Sequence, residues 1–283
     1  MTKIVLSFLL LSGVSAVYAA EPKVLFSSTT VMPGDTVRVI LDEVSPDVPH
    51  KVLFRGKAYP FFPIGPNAQR ALLGIALGTK PGRYPLQIKT FPLKRPRIPH
   101  IQSYELEITS TTYAVETITF TPQKVALFKL DHNESLRIHK ALMGLSADQY
   151  WEGVLDLPVQ GKQVGEYGTQ RLANGKYDRG FHKGIDLEAK LGTPVLASNG
   201  GVVALAYPFK LHGRTVVINH GQGLMTIYLH MKVYNVKPGE RVAKGQAIGF
   251  VGSTGLSTAP HVHWGVYVHG VPVNPKPWTE TEF

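Results

Sequence analysis

The stretch "GRTVVINHGQGLMTIYLHM", residues 213–231, decides the fold of the second half of the chain. Two runs rich in Val, Ile, Thr and Tyr flank the sequence Gly-Gln-Gly, a pattern typical of two antiparallel strands joined by a tight turn. In residues 227–231, apolar residues alternate with Tyr228 and His230. The stretch therefore predicts a β-hairpin whose second strand carries a histidine.

Strand and turn patterns continue on both sides of this hairpin. "TPVLASNGGVVALAYP" (193–208) precedes it and "GERVAKGQAIGFVGSTG" (239–255) follows it. Strands do not alternate with helical patterns here, so a parallel nucleotide-binding sheet is not expected. Residues 151–283 are therefore predicted to form an antiparallel β-sheet domain.

The first half of the chain also shows short strands separated by Pro and Gly. "TVRVILDE" (36–43) alternates in period two after the turn sequence "MPGD". Similar runs follow as far as "SYELEIT" (103–109), and their spacing predicts a β-sandwich of roughly ninety residues over 21–115. "KPGRYPLQIKT" (80–90) resembles a hairpin of bacterial immunoglobulin-like domains, a likeness that concerns the fold alone.

Residues 116–150 depart from the strand pattern and are predicted to connect the two β domains. Asn133 is suited to cap a short helix in which Leu136, Ala141 and Leu142 recur near helical spacing. The fold class is thus mainly β: an N-terminal sandwich, a short helical connector and a C-terminal antiparallel sheet.

The first twenty residues are predicted to be a signal peptide. Lys3 precedes the apolar run "IVLSFLLLSGV", which is too short to span a bilayer, and "SAVYAA" offers small residues for cleavage. An uncleaved anchor is the alternative, and no other stretch is long enough to span a membrane. The protein is therefore expected to be exported, to a periplasmic or extracellular location.

The composition and net charge limit which metal ligands and which macromolecular partners are expected. The 283 residues include no cysteine, so any metal must be held by nitrogen and oxygen ligands. The net charge of +10 favours anionic surroundings such as a cell wall, although it could serve solubility alone. Nucleic acid is not expected, because no basic-aromatic binding motif is present. No sequence feature defines an oligomeric state.

Two short motifs hold paired residues that can bind a metal. In "APHVHWGV" (259–266), His261 and His263 are two apart and therefore share one face of a strand. In "GFHKGIDLEA" (180–189), His182 and Asp186 are four apart, and Gly184 between them favours a strand or extended loop over a helix. With His230, the chain offers imidazoles and a carboxylate for an open site of three ligands and a water. The alternative is a set of ordinary histidines on a polar sheet face.

Residues 151–275 resemble the lysostaphin-type (LytM-like) zinc metalloendopeptidases of bacterial cell walls. The likeness rests on three blocks: "YGTQRLANGKYDRGFHKGIDLEAKLGTPVLASNGGVV" with an H-x-x-x-D motif, "MTIYLHM", and "VKPGERVAKGQAIGFVGSTGLSTAPHVHWGV" with an H-x-H motif. The family often has phenylalanine and arginine where this chain has Tyr167 and Gln170. Those two positions lie outside the five site positions.

The resemblance implies a function and assigns roles. It implies one Zn²⁺ per chain held by His182, Asp186 and His263, with His230 and His261 as catalytic groups. Arg171 and Asn174 match common positions and receive a supporting role. The implied reaction is hydrolysis of peptide bonds in peptidoglycan, with stem-peptide cross-links as the expected target. The alternative is a non-catalytic module that binds peptidoglycan or activates another wall hydrolase, since the family includes such members.

Overall fold

The structure is a computed structural model that describes residues 22–93 and 98–283. The predicted signal peptide, residues 1–20, lies outside these ranges. The prediction of a mainly β fold is confirmed. Across the ranges described, no helix has both the length and the apolar character that crossing a membrane requires.

The amino-terminal half of the described chain is a sandwich of two sheets. Its strands are β1 (Lys23–Phe26), β2 (Thr30–Val31), β3 (Thr36–Asp42), β4 (His50–Phe54), β5 (Lys57–Pro60), β6 (Phe62–Gly65), β7 (Ala68–Gly74), β8 (Gly82–Thr90) and β9 (His100–Ile108). The sheet orders are β1-β3-β7-β6 and β2-β9-β8-β4-β5. Along β3 every second side chain is buried, because alternate residues face the opposite sheet. The core between the sheets includes Val37, Val39, Leu41, Val52, Leu86 and Leu106.

The segment from residue 115 to residue 142, called the connector below, follows the sandwich. It contains β10 (Val115–Ile118), α1 (Pro122–Val125), a 3-10 turn (Ala126–Leu130) and α2 (Asp131–Leu142). The prediction that Asn133 caps this helix is wrong. The helical geometry begins two residues earlier, directly from the 3-10 turn, so that Asn133 lies inside the first turn of α2.

The carboxyl-terminal half is built around one large antiparallel sheet. Its order is β11-β14-β22-β18-β17-β16-β20, with β23 paired to β22. Smaller sheets have the orders β10-β12-β13 and β15-β21-β19. The elements are β11 (Lys162–Gly165), β12 (Gln170–Ala173), β13 (Tyr177–Phe181), β14 (Ile185–Glu188), β15 (Pro194–Leu196), β16 (Gly201–Pro208), β17 (Arg214–Gly221), β18 (Leu224–Met231), β19 (Val233–Tyr234), β20 (Arg241–Val242), β21 (Ala247–Phe250), β22 (His261–Val268), β23 (Val271–Val273) and α3 (Pro275–Glu280).

The two faces of the large sheet bury different cores. One face contributes Tyr228, Met231, Val262 and Trp264 to the main core of this half. The opposite face contributes Ile227, Leu229 and Tyr267 to a smaller core, which the connector helix completes with Ile138 and Leu142. The second face is the one that carries the histidine pair of β22, because His261 and His263 alternate with Val262 and Trp264.

A β-bulge interrupts β18 at its carboxyl end. Arg214 pairs with Met231 and Val216 pairs with Tyr228, so Leu229 and His230 together oppose one residue of β17. His230 has a φ of 64°, in the left-handed region that only a few non-glycine residues occupy. A bulge of this kind changes the direction of a side chain. His230 consequently faces the same side as His261, with ring centroids 4.9 Å apart.

The sandwich and the second half are joined by buried polar contacts. Arg70 of β7 donates to the backbone oxygen of Phe283 and to the side-chain oxygens of Gln149 and Gln222. Its guanidinium also lies 4.8 Å from the ring centroid of Trp151. Burial lowers the pKa of Arg70 to about 10, and a buried charge of this kind needs such partners.

Candidate metal centre

Three polar side chains converge at the carboxyl half's large sheet. Asp186 and His263 are paired across β14 and β22, so their side chains point to the same face. His182 lies in the loop between β13 and β14 rather than on a strand. The Nε2 atom of His182 and the Nδ1 atom of His263 each lie 3.0 Å from Oδ1 of Asp186, and 2.8 Å from each other.

The backbone fixes the orientation of His182. Its Nδ1 donates to the carbonyl oxygen of Glu166 at 2.8 Å, which leaves Nε2 without a proton and directed at the cluster. Gly184 lets this loop approach β22, because a Cβ there would lie 2.3 Å from the carbonyl oxygen of Trp264. The glycine that argues against a helix in the sequence thus serves close packing.

The second carboxylate oxygen of Asp186 accepts a hydrogen bond from an arginine. Arg171 of β12 donates from Nη2 to Oδ2 at 2.6 Å, and its Nε lies 3.3 Å from Glu116. Burial opposes ionisation of Asp186, but the neighbouring imidazoles of His182 and His263 hold the pKa of this carboxyl well below its ordinary value. Asp186 is therefore a carboxylate that offers one oxygen to the cluster and the other to Arg171.

His261 stands at the edge of the cluster. Its Nδ1 donates to the carbonyl oxygen of Ala259 at 2.8 Å and lies 3.2 Å from the hydroxyl of Ser257. In the neutral ring Nε2 is then the acceptor, and it lies 3.9 Å from Oδ1 of Asp186. This distance places an imidazole nitrogen beside the cluster without making it part of the three-atom set.

His230 is held more tightly. Its Nδ1 donates to the carbonyl oxygen of Thr254 at 2.9 Å, and the hydroxyl of Thr254 donates to the carbonyl oxygen of Met231 at 2.8 Å. Burial, followed by the neighbouring His261, lowers the pKa of His230 to about 3. His230 is therefore neutral at neutral pH, and its Nε2 is a bare acceptor.

The donor set fits a metal ion of zinc type. One ligand atom from each of His182, Asp186 and His263 lies within 4.8 Å of the others. Two imidazole nitrogens and a carboxylate oxygen are natural zinc donors, and three protein ligands leave a fourth position open. Mutual repulsion of lone pairs on these buried atoms would be relieved by a cation at their centre.

The centre lies in a cleft of about 610 Å³. The five predicted site residues all line it, and so do connector residues that include Ile118, Phe120 and His139. A cleft of this volume is in the range that holds a small ligand or a segment of a larger chain. The structure thus brings together His182, Asp186, His230, His261 and His263, which were predicted from two motifs and one strand.

Several contacts that hold the site histidines were not predicted from the sequence. Ser257, which contacts His261, and Thr254, which accepts from His230, lie inside the third block of the family resemblance but were not among its site positions. The role of Glu166 depends on its backbone oxygen, which residue type cannot reveal. His220, which lies apart from the cluster, is buried and bonded to the carbonyl of Gly200 and the hydroxyl of Thr226.

Two histidines and one carboxylate that leave a ligand position open form the kind of donor set found in catalytic zinc sites of peptidases. Residues 180–275 match the family model described as Peptidase family M23, so the chain contains a peptidase M23 domain. All five site residues lie inside this match.

Curated relatives match about a third of the chain. The peptidoglycan DD-endopeptidase ShyA of Vibrio cholerae is 45% identical over 93 residues, which are 33% of this chain and 22% of that protein. The DD-carboxypeptidase/endopeptidase Mpg of Neisseria meningitidis is 45% identical over 95 residues, which are 34% of this chain and 22% of that protein. The matched segment therefore spans about a fifth of the length of these relatives.

A solved structure shares the fold over a longer range. The crystal structure described as a peptidase M23 from Pseudomonas aeruginosa superposes with a TM-score of 0.65 at 24% identity. The superposition covers 89% of this chain and 96% of that chain. The arrangement of a β domain before the M23 domain is thus a fold that this protein shares with another.

Substitution of Gly165 by alanine is expected to weaken metal binding. A Cβ at this position of β11 would lie 2.5 Å from Oδ2 of Asp186 and 2.6 Å from Nη2 of Arg171, so the pair must separate. Loss of an outer partner of a metal ligand typically reduces affinity by roughly 10–100-fold. Competition with a chelating dye measures the affinity. Gly65→Ala is the matched control, because nothing lies within 4 Å of the added Cβ there. An affinity equal to the control's would contradict the role given to the Arg171–Asp186 contact.

Proposed function

We propose that this protein is a zinc-dependent endopeptidase that hydrolyses peptide bonds in peptidoglycan, with stem-peptide cross-links as its substrate. The observation that carries the proposal is the convergence of His182, Asp186 and His263 beside His230 and His261 in one cleft. Two relatives that match about a third of this chain are named for endopeptidase activity, and the name of one specifies peptidoglycan.

In this proposal one zinc ion per chain is held by His182 Nε2, Asp186 Oδ1 and His263 Nδ1. The ion would supply Lewis-acid polarisation of the scissile carbonyl and activation of a water. Arg171 holds the far oxygen of Asp186, so the carboxylate presents a single oxygen to the centre. His182 is kept in the ligating tautomer by the carbonyl of Glu166.

The two remaining histidines move protons. In each, the Nδ1–H group donates a hydrogen bond to a backbone carbonyl oxygen, so the neutral ring presents Nε2 as an acceptor. His261 lies at the edge of the centre and His230 is packed against it, so a proton taken from the attacking water can be held at an imidazole Nε2. The resulting imidazolium would donate to the developing oxyanion or to the leaving nitrogen.

The location proposed is outside the cytoplasm, in the periplasm or beyond. The basic character of the chain, with a sequence pI of about 9.6, suits the anionic surroundings of a cell wall. The amino-terminal segment with its short apolar run supports export. Peptidoglycan is accordingly the macromolecular partner proposed.

The test combines metal analysis with product analysis. The purified protein is expected to contain about one zinc ion per chain, as an open catalytic site requires. Incubation with isolated peptidoglycan should release monomeric muropeptides, identified by mass spectrometry, and a chelator should stop the release until zinc is restored. Binding to peptidoglycan without any change in its muropeptides would contradict the enzyme and favour the non-catalytic module. Zinc content of zero, with no activity on zinc addition, would contradict the metal centre.

A further inference from the structure

The connector helix completes the face of the sheet on which the candidate centre lies. Ile138 and Leu142 of α2 are buried against Ile227, Leu229 and Tyr267. Leu229 adjoins His230 in the bulge and pairs with His263 across β18 and β22. Removal of α2 would thus expose apolar surface beside the histidines. The connector also contacts residues and loops that hold the candidate centre in place. It does so at three further points, each through one charged side chain.

The first contact is made by Glu134 of α2. Its carboxylate accepts from the backbone N–H groups of Lys210, Leu211 and His212 at 2.9–3.1 Å. It also accepts from Nδ1 of His212 at 2.9 Å. The carbonyl oxygen of His212 in turn accepts from the backbone N–H of His230 at 3.3 Å. Glu134 is therefore bonded to the loop that supports the bulge.

The second contact is made by Lys124 of α1. Its Nζ donates to the carbonyl oxygen of Ser257. The hydroxyl of Ser257 lies 3.2 Å from Nδ1 of His261 and donates to the carbonyl oxygen of Ala259, the same oxygen to which His261 is bonded. Ser257 is almost fully buried. Lys124 therefore supports the loop that sets the position of His261.

The third contact is made by β10. This strand pairs in parallel with β12, and Glu116 is the partner of Arg171 in the register. The ion pair between them measures 3.3 Å, and Glu116 is 44% exposed. An exposed pair contributes little by itself. Its place matters because Arg171 is the residue that holds Asp186.

We propose that the connector is part of the catalytic unit, and that Glu134, Lys124 and Glu116 are positioning residues for His230, His261 and Asp186 respectively. The inference rests on the proposed function, but its structural part can be measured without any enzymatic turnover. Glu134 should have the largest effect, because it is mostly buried and makes the most bonds. Glu116 should have the smallest.

Hydrogen exchange of the full chain, read by mass spectrometry, tests the structural claim. In Glu134→Ala the amides of residues 210–212 and of His230 should exchange roughly tenfold faster, because the carboxylate that holds the loop is gone. In Lys124→Met the increase should fall on residues 256–261 instead. Lys140→Met and Glu43→Gln are matched controls, since both side chains are exposed. They should leave both regions unchanged.

Kinetics on a soluble cross-linked muropeptide dimer tests positioning. Glu134→Ala should lower kcat by roughly tenfold, the effect of one lost charge-assisted hydrogen bond, with zinc content and KM nearly unchanged. Glu134→Gln should recover part of the loss, because its amide oxygen still accepts from the loop. A melting temperature within the range of the controls, measured by circular dichroism, shows that each variant is folded.

The outcomes separate the two proposals. Absence of turnover in the unchanged protein with zinc bound would overturn the endopeptidase proposal, while the exchange data would still test the connector. Exchange in 210–212 and 256–261 that matches the controls would overturn the connector proposal, even in a fully active enzyme. Equal losses of kcat in Glu134→Ala and Lys140→Met would overturn it as well, because the effect would then not depend on the contacts described.

Discussion

In the proposed enzyme, replacement of Asp186 by alanine is expected to abolish zinc binding and all measurable hydrolysis. The carboxylate supplies the one negative charge among the three candidate ligands, and its Oδ1 lies 3.0 Å from both imidazole nitrogens. Its loss also leaves the guanidinium of Arg171 beside the centre without the oxygen it holds at 2.6 Å. A zinc ion at the centre would then face the uncompensated positive charge of Arg171.

The size of this effect follows from the contacts removed. Breaking a buried ion pair by deleting one partner costs about 3–5 kcal/mol, so zinc affinity should fall by at least roughly 10²-fold. Asp186→Asn keeps the shape but not the charge, and should give an intermediate loss. Zinc bound after dialysis against a chelator buffer is the measurement. Asp156→Ala is the control, because Asp156 is an exposed residue of the same type. Retention of zinc by Asp186→Ala at the control's level would remove Asp186 from the ligand set.

Replacement of His230 or His261 is expected to abolish most turnover while zinc stays bound. Neither residue belongs to the three-atom cluster, so the ligands remain in place. Loss of a group that transfers protons should lower kcat by roughly 10²–10⁴-fold. His230→Asn is the preferred variant, because asparagine tolerates the left-handed backbone that His230 adopts at φ 64°. His261→Ala needs no such care, since His261 lies in a regular strand.

The comparison with His263 makes the assignment of roles testable. His261 and His263 share a strand face, yet His263→Ala should lose zinc and activity together, whereas His261→Ala should lose activity alone. Elemental analysis of folded protein, beside kcat on the same preparation, separates the two classes. Equal zinc loss in both variants would show that the division into ligands and proton carriers is wrong.

Strand alternation predicted part of this centre and mispredicted another part. The shared face of His261 and His263 follows from period two, and the pairing of Asp186 with His263 places the carboxylate on that face. The same rule puts His230 on the face of Tyr228, which packs in the main core with Trp264. The bulge at Leu229 and His230 reverses this direction, and neither residue is the glycine or proline that usually marks an irregular strand.

The connector shows a second limit. Its composition predicts a helix between two β domains, and α2 is indeed helical. Its contacts with the centre depend on pairing between β10 and β12, which are far apart in sequence and parallel. Local patterns carry no information on such a pairing. The contacts of Glu134 and Lys124 with backbone groups are equally invisible, because backbone atoms are the same at every residue.

The buried guanidinium of Arg70 has a consequence for the order of folding. Arg70 belongs to a sandwich that is synthesised first, but its partners are Gln149, Gln222 and Phe283. Until those residues arrive, the arginine must remain hydrated or bear an unpaired charge in an apolar setting. The sandwich therefore gains its last stabilising contacts only when the second half of the chain docks. Assembly of the two halves is thus coupled, and a sandwich that folds before the rest of the chain has packed would be the less stable state of the same strands.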